Sequence, residues 1–305
     1  MKKMIVTTTI QSPTKAIEKF DSLKGWILIV AGDLKTPKNY KLKNGIYISP
    51  EEQEKYNKKL SNLISWNTHA RRNFGHLLAK DMKADIVAIV DDDNIPLDDW
   101  GQDLLLGNEV EVNYYQTDID AFDPIGATNC PNLWHRGFPP QLIHERDYSK
   151  VVKKKVKVDV QADFWNGDPD IDAIGRMIYA PQCKFDNNCF PIASNKPSPF
   201  NSQNIFITKE VLPHYFILPH ISPLGRQGDI WISYHLFSLG FKVVYNKPSV
   251  CQYRNEHDLT VDMRDEFIGY DKNIEIVKAI NNGTYNKKIF WPERTCMAYD
   301  EYKKY

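Results

Sequence analysis

The sequence predicts an α/β fold built on a mostly parallel sheet flanked by helices, with an elaborated C-terminal half. Three observations carry that prediction. Ile86-Val87-Ala88-Ile89-Val90 is an apolar run with no polar break; it is too short for a typical helix and reads as a strand buried on both faces, as strands of parallel sheets are. Strand-like and helix-like segments alternate from Lys3 to Val90, the order that β-α-β units produce. Directly after the run stand three carboxylates, Asp91-Asp92-Asp93, where open parallel sheets hold their ligands.

Lys3 to Ile10 reads as the first strand. Ser12-Pro13 supplies an N-cap and a first-turn proline for a helix running to about Leu23, which Gly25 ends. Trp26 to Ala31 is a second buried strand closed by Gly32-Asp33, and Asn44-Gly45 precedes a short apolar piece at Ile46 to Ile48. Ser49-Pro50-Glu51-Glu52 is a capping box with proline at the first helical position, which predicts a helix over about Pro50 to Ile64. A further helix is expected over Thr68 to Met82, where His69, Arg72, His76 and Lys80 recur at spacings of three or four.

From Pro96 to Pro199 periodicity gives way to prolines, glycines and tryptophans (Trp100, Trp134, Trp165), the pattern of long functional loops over a sheet. The Lys-rich stretch Lys150 to Lys157 reads as a solvated hairpin or strand edge rather than a binding patch. Asn204 to Thr208 is a strand, Asp229 to Leu239 a helix ended by Gly240, Lys242 to Tyr245 a strand, and Asp262 to Ile280 a C-terminal helix.

Composition narrows the function. The chain has 305 residues, with Lys plus Arg equal to Asp plus Glu at 39 each, so no net field draws it to nucleic acid or anionic lipid. Aromatic residues make up 12%, which suits a folded enzyme and argues against disorder. The cysteines (Cys130, Cys183, Cys189, Cys251, Cys296) are five, without a C-x-x-C pair, so reduced thiols in a cytoplasm are expected rather than a disulfide framework or a zinc knuckle. The longest apolar stretch, near Trp26 to Ala31, falls far short of the ~20 residues of a membrane span. The basic start Met1-Lys2-Lys3 leads into threonines, not into a signal-peptide core. A soluble, cytoplasmic protein without a transmembrane segment is the expectation.

The chemistry is expected at the acids. Three adjacent anions repel one another unless a cation sits among them, and their hard oxygens favour Mg²⁺ or Mn²⁺ over zinc. A divalent ion bridging a carboxylate to both phosphates neutralises a departing diphosphate. Asp93 is then the expected metal ligand, with Asp91 reaching the ribose or donor sugar, or sharing the metal. A phosphatase of the haloacid-dehalogenase kind wants Asp-x-Asp-x-Thr, and position 95 is Ile. Asp33 and Lys35 follow the second strand, where a base or ribose lies if the strands are neighbours; an ordinary turn is the alternative. Arg71 and Arg72 offer forked donors for phosphate oxygens, one facing inward and the other solvent.

Asn166 to Asp172 is a second acidic cluster. Asp168 before Pro169 fits a helix N-cap, which leaves Asp170 and Asp172 to be explained. Asp229 opens a helix whose Ile230, Tyr234 and Phe237 face the core, so its carboxylate should sit at the sheet rim as general base, acceptor anchor or helix-dipole partner. His257 adds a nitrogen that either ligates the metal or is structural.

Several of these segments resemble a known family. Thr7-Thr8-Thr9-Ile10, Ala31 to Pro37, Arg71-Arg72-Asn73-Phe74-Gly75, Asp91-Asp92-Asp93-Asn94, Arg136-Gly137-Phe138-Pro139, Asn166 to Ile174, Phe200 to Asn204 and Gly228-Asp229-Ile230-Trp231 follow in order the pattern of the STELLO family of probable glycosyltransferases. The match spans about Val6 to His257. The resemblance implies a GT-A-like, Rossmann-like domain. A looser resemblance reaches the reversibly glycosylated polypeptides, which are nucleotide-arabinose mutases; it rests on the triple aspartate, Arg136 to Pro139 and Asp170-Ile171-Asp172. It implies that Arg136 holds the sugar, although Ile143 stands where a second arginine is expected. Plant STELLO members are membrane-anchored and longer, so the compartment does not carry over.

The expectation is thus a single GT-A-like domain over 1–305, in which 1–95 binds a nucleoside-diphosphate sugar, 96–260 shapes the acceptor and catalytic half, and 261–305 forms a C-terminal helix and tail. Its function would be metal-dependent transfer of a sugar to a hydroxyl of a glycan, lipid-linked or small-molecule acceptor, with a nucleotide-sugar mutase as alternative. Thr8, Asp33, Lys35, Arg71, Arg72, Asp91 and Asp92 would contact the donor. Asp91, Asp93 and His257 would hold Mn²⁺ or Mg²⁺. Asp229 would serve as base, Asp170 and Asp172 would bind sugar hydroxyls, and Arg136 would hold the sugar.

Overall fold

The computed structural model describes residues 1–253 and 258–305. The N-terminal half is a βα series: β1 (Lys3–Thr9), α1 (Lys15–Ser22), β2 (Trp26–Gly32), β3 (Ile46–Ile48), α2 (Pro50–Ile64), α3 (Arg72–Asp81) and β4 (Ile86–Val90). There follow β5 (Asn94–Pro96), β6 (Glu109–Tyr115), β7 (Val151–Lys157), β8 (Val160–Gly167), α4 (Ala173–Tyr179), β9 (Ile192–Ser194), β10 (Asn204–Thr208), α5 (Gly228–Ser238) and β11 (Val243–Gln252). Three helices end the chain: α6 (Leu259–Asn281), α7 (Lys287–Phe290) and α8 (Glu293–Tyr302). Among the described residues no helix is long and apolar enough to cross a membrane.

The strands form one central sheet in the order β3-β2-β1-β4-β10-β8-β11-β9-β6-β7, with β5 against β11. It is parallel from β3 to β4 and mixed beyond: β10 runs antiparallel to both neighbours, so β8 and β11 resume the direction of β1 and β4. The sheet is thus mostly parallel, as the sequence predicts, with β10 the strand that runs against its neighbours β4 and β8. The short run Asn204 to Thr208 is buried on both faces and gives no sign of direction, because burial is the same for either. Running backwards, β10 brings the loop before it, Asn201 to Gln203, to the same edge as the carboxyl ends of β1, β4, β8 and β11. That edge is where the acids gather.

Local sequence accounts for most of the elements. In α2 the Glu52 amide donates to Ser49 Oγ at 3.2 Å while Glu52 Oε2 accepts from the Ser49 amide at 2.7 Å, the reciprocal capping that the sequence predicts, worth about 1 kcal/mol. Helix α1 starts two residues later than Ser12-Pro13 suggests, because Thr14 Oγ1 takes the Ile17 amide. The expected helix from Thr68 is broken into a 3₁₀ turn, His69–Arg71, and α3. Asp168 does not cap a helix; Asp172 does, accepting from the Gly175 amide at 2.7 Å. The lysine run is the exposed edge strand β7. Phe20, Trp26, Trp100 and Phe206 pack at centroid distances of 5.0 to 5.9 Å, closing one face of the sheet.

One buried acid belongs to this scaffold rather than to the site. Asp163 on β8 is 5% exposed and accepts from Gln161 Nε2 at 2.7 Å; burial pushes its carboxyl up to about 7. The unfolded chain ionises that carboxyl near pH 4, so its contribution favours folding most below pH 4 and is lost as pH rises toward 7. The span corresponds to about 4 kcal/mol. Asp163→Asn is expected to flatten that part of the stability profile, measured as urea midpoints between pH 4 and 8; an unchanged profile would refute the assignment.

Candidate functional site

At the strand ends lies a cleft of about 530 Å³, within the range of sites that hold small molecules. Its floor is built by β1 and the turn after β4. Thr8 Oγ1 donates to the Ala31 carbonyl at 2.6 Å, tying β1 to β2, and Thr9 Oγ1 donates to Asp92 Oδ2. Thr14 Oγ1 donates to the Asp92 carbonyl, so the middle aspartate is fixed at side chain and backbone. Asp91 is paired with Arg72, whose other terminal nitrogen donates to the Ser202 carbonyl and hydroxyl at 3.1 Å. Burial pushes the Asp91 carboxyl up and Arg72 pulls it back. Asp93 completes the wall.

The facing wall is organised around Arg136. Its Nε lies 3.0 and 3.1 Å from the two oxygens of Asp170, one terminal nitrogen lies 2.8 Å from Asp229 Oδ2, and the other donates to the Arg226 carbonyl. Asn201 Nδ2 adds a bond to Asp170 Oδ2 at 2.8 Å, and the Ser202 amide reaches Asp229 Oδ2 at 3.3 Å. Arg136 is placed there by its neighbour. A Cβ on Gly137 would come within 2.8 Å of Pro199 Cβ and collide with Ile230 on α5, so only glycine lets this backbone dock beside the start of α5. Burial alone would raise the Asp229 carboxyl, but the Arg136 charge outweighs it and holds Asp229 below the usual carboxylate range. Arg136 in turn is held protonated well above its ordinary range, because its two carboxylates overcome desolvation.

Thr8, Asp33, Arg72, Asp91, Asp92, Asp93, Arg136, Asp170 and Asp229 all line this one cleft. Asp33 does so while accepting from the amides of Leu34, Asn67 and Thr68 at 2.6 to 3.1 Å, so the turn role and the site role coincide. Other expected residues fall elsewhere. Arg71 is fully buried, donating from Nε to Gln53 at 2.8 Å and stacking on Trp66 at 3.6 Å from the ring centroid; neither arginine faces solvent, and Arg71 clamps α2 to the His69–Arg71 turn instead of meeting a phosphate. Lys35 is exposed and outside the cleft lining. Asp172 is buried, caps α4 and takes the Trp134 indole at 2.6 Å, and it is not among the residues that line the cleft. His257 lies outside the described residues.

Asp229, expected as general base, acceptor anchor or helix-dipole partner, stands at the start of α5 in the cleft, ion-paired with Arg136 and stabilised in its charged form.

Sequence reasoning missed several groups. His69 lines the cleft with Nε2 buried and without a hydrogen-bond partner, and desolvation lowers its pKa to about 4. Gln203, Arg226 and Gln252 also line the cleft. A second acidic rim comes from α6, where Asp262 pairs with Arg226 and Asp265 Oδ2 lies 3.5 Å from His220 Nε2.

No family model matches the chain. It is similar to the probable glycosyltransferase STELLO2 of Arabidopsis thaliana, 23% identical over 303 residues that take in 91% of this chain and 39% of that protein. It is 24% identical over 186 residues to the probable glycosyltransferase STELLO1 of the same plant, covering 56% of this chain and 24% of that one. The chain thus spans about two fifths or less of the length of these curated relatives. Among solved structures it resembles glucosyl-3-phosphoglycerate synthase of Mycobacterium tuberculosis with Mn²⁺ and uridine-diphosphate-glucose, at a TM-score of 0.45 and 12% identity over 90% of this chain and 79% of that one. A similar likeness, with a TM-score of 0.40 and 12% identity, joins it to GalNAc-T7 with UDP, GalNAc and Mn²⁺, over 100% of this chain and 53% of that one.

Proposed function

We propose that the chain is a GT-A-like glycosyltransferase that moves a sugar from a nucleoside-diphosphate sugar to a hydroxyl of a glycan, lipid-linked or small-molecule acceptor. The observation that carries this reading is the meeting, in one cleft at the strand ends, of the aspartate trio with Arg72 on one wall and the Arg136, Asp170 and Asp229 network on the other. The likeness to the STELLO proteins supports it.

The donor set suits a hard cation. Among the described residues no three His, Cys, Asp or Glu side chains are grouped to hold a metal by themselves. Asp91 is engaged by Arg72 and Asp92 by Thr9. That arrangement fits Mg²⁺ or Mn²⁺ held by one or two carboxylates together with substrate phosphates. Asp93 would be the principal protein ligand, with Asp91 beside it. When bound, the ion offsets the charge that builds up on a departing diphosphate.

The remaining steps belong to the chain's own groups. Arg72 adds a buried positive charge beside the diphosphate, where a low dielectric strengthens it. Asp33 and Thr8 line the same cleft after β2 and on β1 and suit a base or ribose. Asp170 and Asp229, both ion-paired with Arg136, accept hydrogen bonds from sugar and acceptor hydroxyls and fix their orientation. Arg136 is paired with both Asp170 and Asp229; a nucleotide-sugar mutase, the alternative, would exchange ring isomers in the donor alone, whereas the transferase needs a separate acceptor.

The test is a thermal-shift screen of nucleoside-diphosphate sugars with and without Mn²⁺. One donor is expected to raise Tm by a few degrees only when the ion is present, as binding at ~100 Kd contributes about 2.7 kcal/mol. No shift with any donor would overturn the reading.

A further inference from the structure

A second concavity lies at the other end of the sheet. It measures about 270 Å³ and sits against the start of β11, next to Val243, whereas Gln252 at the end of β11 lines the cleft. Nine residue steps separate the two, roughly 30 Å at ~3.3 Å per residue, so the concavity is no extension of the donor site.

Its floor is apolar: Tyr114, Val156, Phe237, Val243 and Tyr245. The Tyr245 hydroxyl is already satisfied by the Pro199 carbonyl at 2.8 Å and by Ser198 Oγ at 2.6 Å, so that ring presents only carbon. The rim is basic. Lys154 comes from β7, Lys196 from the loop after β9, and Lys242 from the turn before β11, and no carboxylate lines the cavity.

The charge is not a by-product of the lysine-rich edge strand. Lys155 and Lys157 stand across from Glu111 and Glu109 in the β6–β7 register, while Lys154 stands across from Val112. Lys150 and Lys247 are each ion-paired, to Asp118 and to Asp99 and Asp103. Asp159 Oδ2 takes the Lys242 backbone amide at 2.9 Å. In a chain whose formal charge is zero, three lysines from three separate segments thus ring one apolar hollow. Lys154 Nζ stands 4.1 Å over the Tyr114 ring; an anion placed among the three lysines would be attracted by all of them, and an apolar floor gains from being covered.

We propose that this hollow is a second ligand site, which takes a small amphiphilic anion: an aliphatic or aromatic body on the floor and a phosphate or carboxylate head among Lys154, Lys196 and Lys242. The volume lies just below the ~300–1,000 Å³ of drug-sized sites, which limits the ligand to a short body. The site stands independently of the reading of the cleft.

Calorimetric titration of the full chain with octyl phosphate, octyl glucoside and inorganic phosphate tests it. Octyl phosphate is expected to bind at one site per chain and to bind Lys154→Gln/Lys242→Gln at least about tenfold more weakly, the loss that one or two charge-assisted contacts produce. Both lysines are at the surface of the hollow, and an unchanged Tm will show that the variant is folded. The proposal is overturned if octyl phosphate does not bind, if octyl glucoside binds as tightly, if inorganic phosphate alone does, or if the double variant binds octyl phosphate unchanged.

Discussion

Replacing Arg136 by Met is expected to destabilise the fold by about 3–5 kcal/mol, the range for removing one partner of a buried ion pair. Here the one guanidinium serves two carboxylates, Asp170 and Asp229, both under a tenth exposed. Without it, two anions remain in a site of low dielectric, with Asn201 Nδ2 and the Ser202 amide as residual donors. The destabilisation comes mainly from the stranded charge, not from a lost attraction. Two consequences follow. Adding Asp170→Asn to Arg136→Met should recover part of the stability, because one of the stranded charges is gone. Stability of the single variant should also rise as pH falls, since protonation of Asp170 or Asp229 now relieves the repulsion. Urea unfolding of the wild type and both variants reads all three outcomes. A single variant within 1 kcal/mol of wild type would show that the network is not the keystone of this wall.

This network marks the boundary between what the sequence discloses and what it does not. The strand Ile86 to Val90 and its aspartates were legible because a short unbroken apolar run has few alternatives and its end is the ligand edge of a parallel sheet. The α2 capping box was legible because both of its bonds are local. Arg72 and Arg71 were not separable, although one lines the cleft and the other is fully buried under Trp66, since adjacent residues differ only in the tertiary packing each meets. Asp172 looked like its neighbour Asp170 for the same reason: which of the acids after Gly167 caps α4 depends on where the chain turns, and Asp168 before Pro169 was the locally better candidate. The ion pair of Asp229 was not legible either. Its partner Arg136 lies 93 residues away, and no local pattern reports an ion pair across that separation.

The trio itself divides by role, and that division makes the most direct functional prediction. Asp91→Asn should weaken the fold, because Arg72, 4% exposed, would lose the carboxylate that offsets its desolvation. Asp92→Asn should loosen the junction between β1 and the turn after β4, where Thr9 and Thr14 hold it. Asp93→Asn tests the metal directly. If Asp93 is the residue through which a divalent ion joins the donor to the protein, the variant should lose the Mn²⁺-dependent Tm shift with the donor. Its turnover should fall by at least about 100-fold, because several kcal/mol of charge stabilisation disappears and each 1.36 kcal/mol is a factor of ten. Calorimetric titration of Mn²⁺ in the presence of the nucleoside diphosphate alone provides a readout that needs no turnover. Unaltered Mn²⁺ affinity in that titration, with a folded variant, would move the metal away from Asp93 and leave the trio as a scaffold for Arg72.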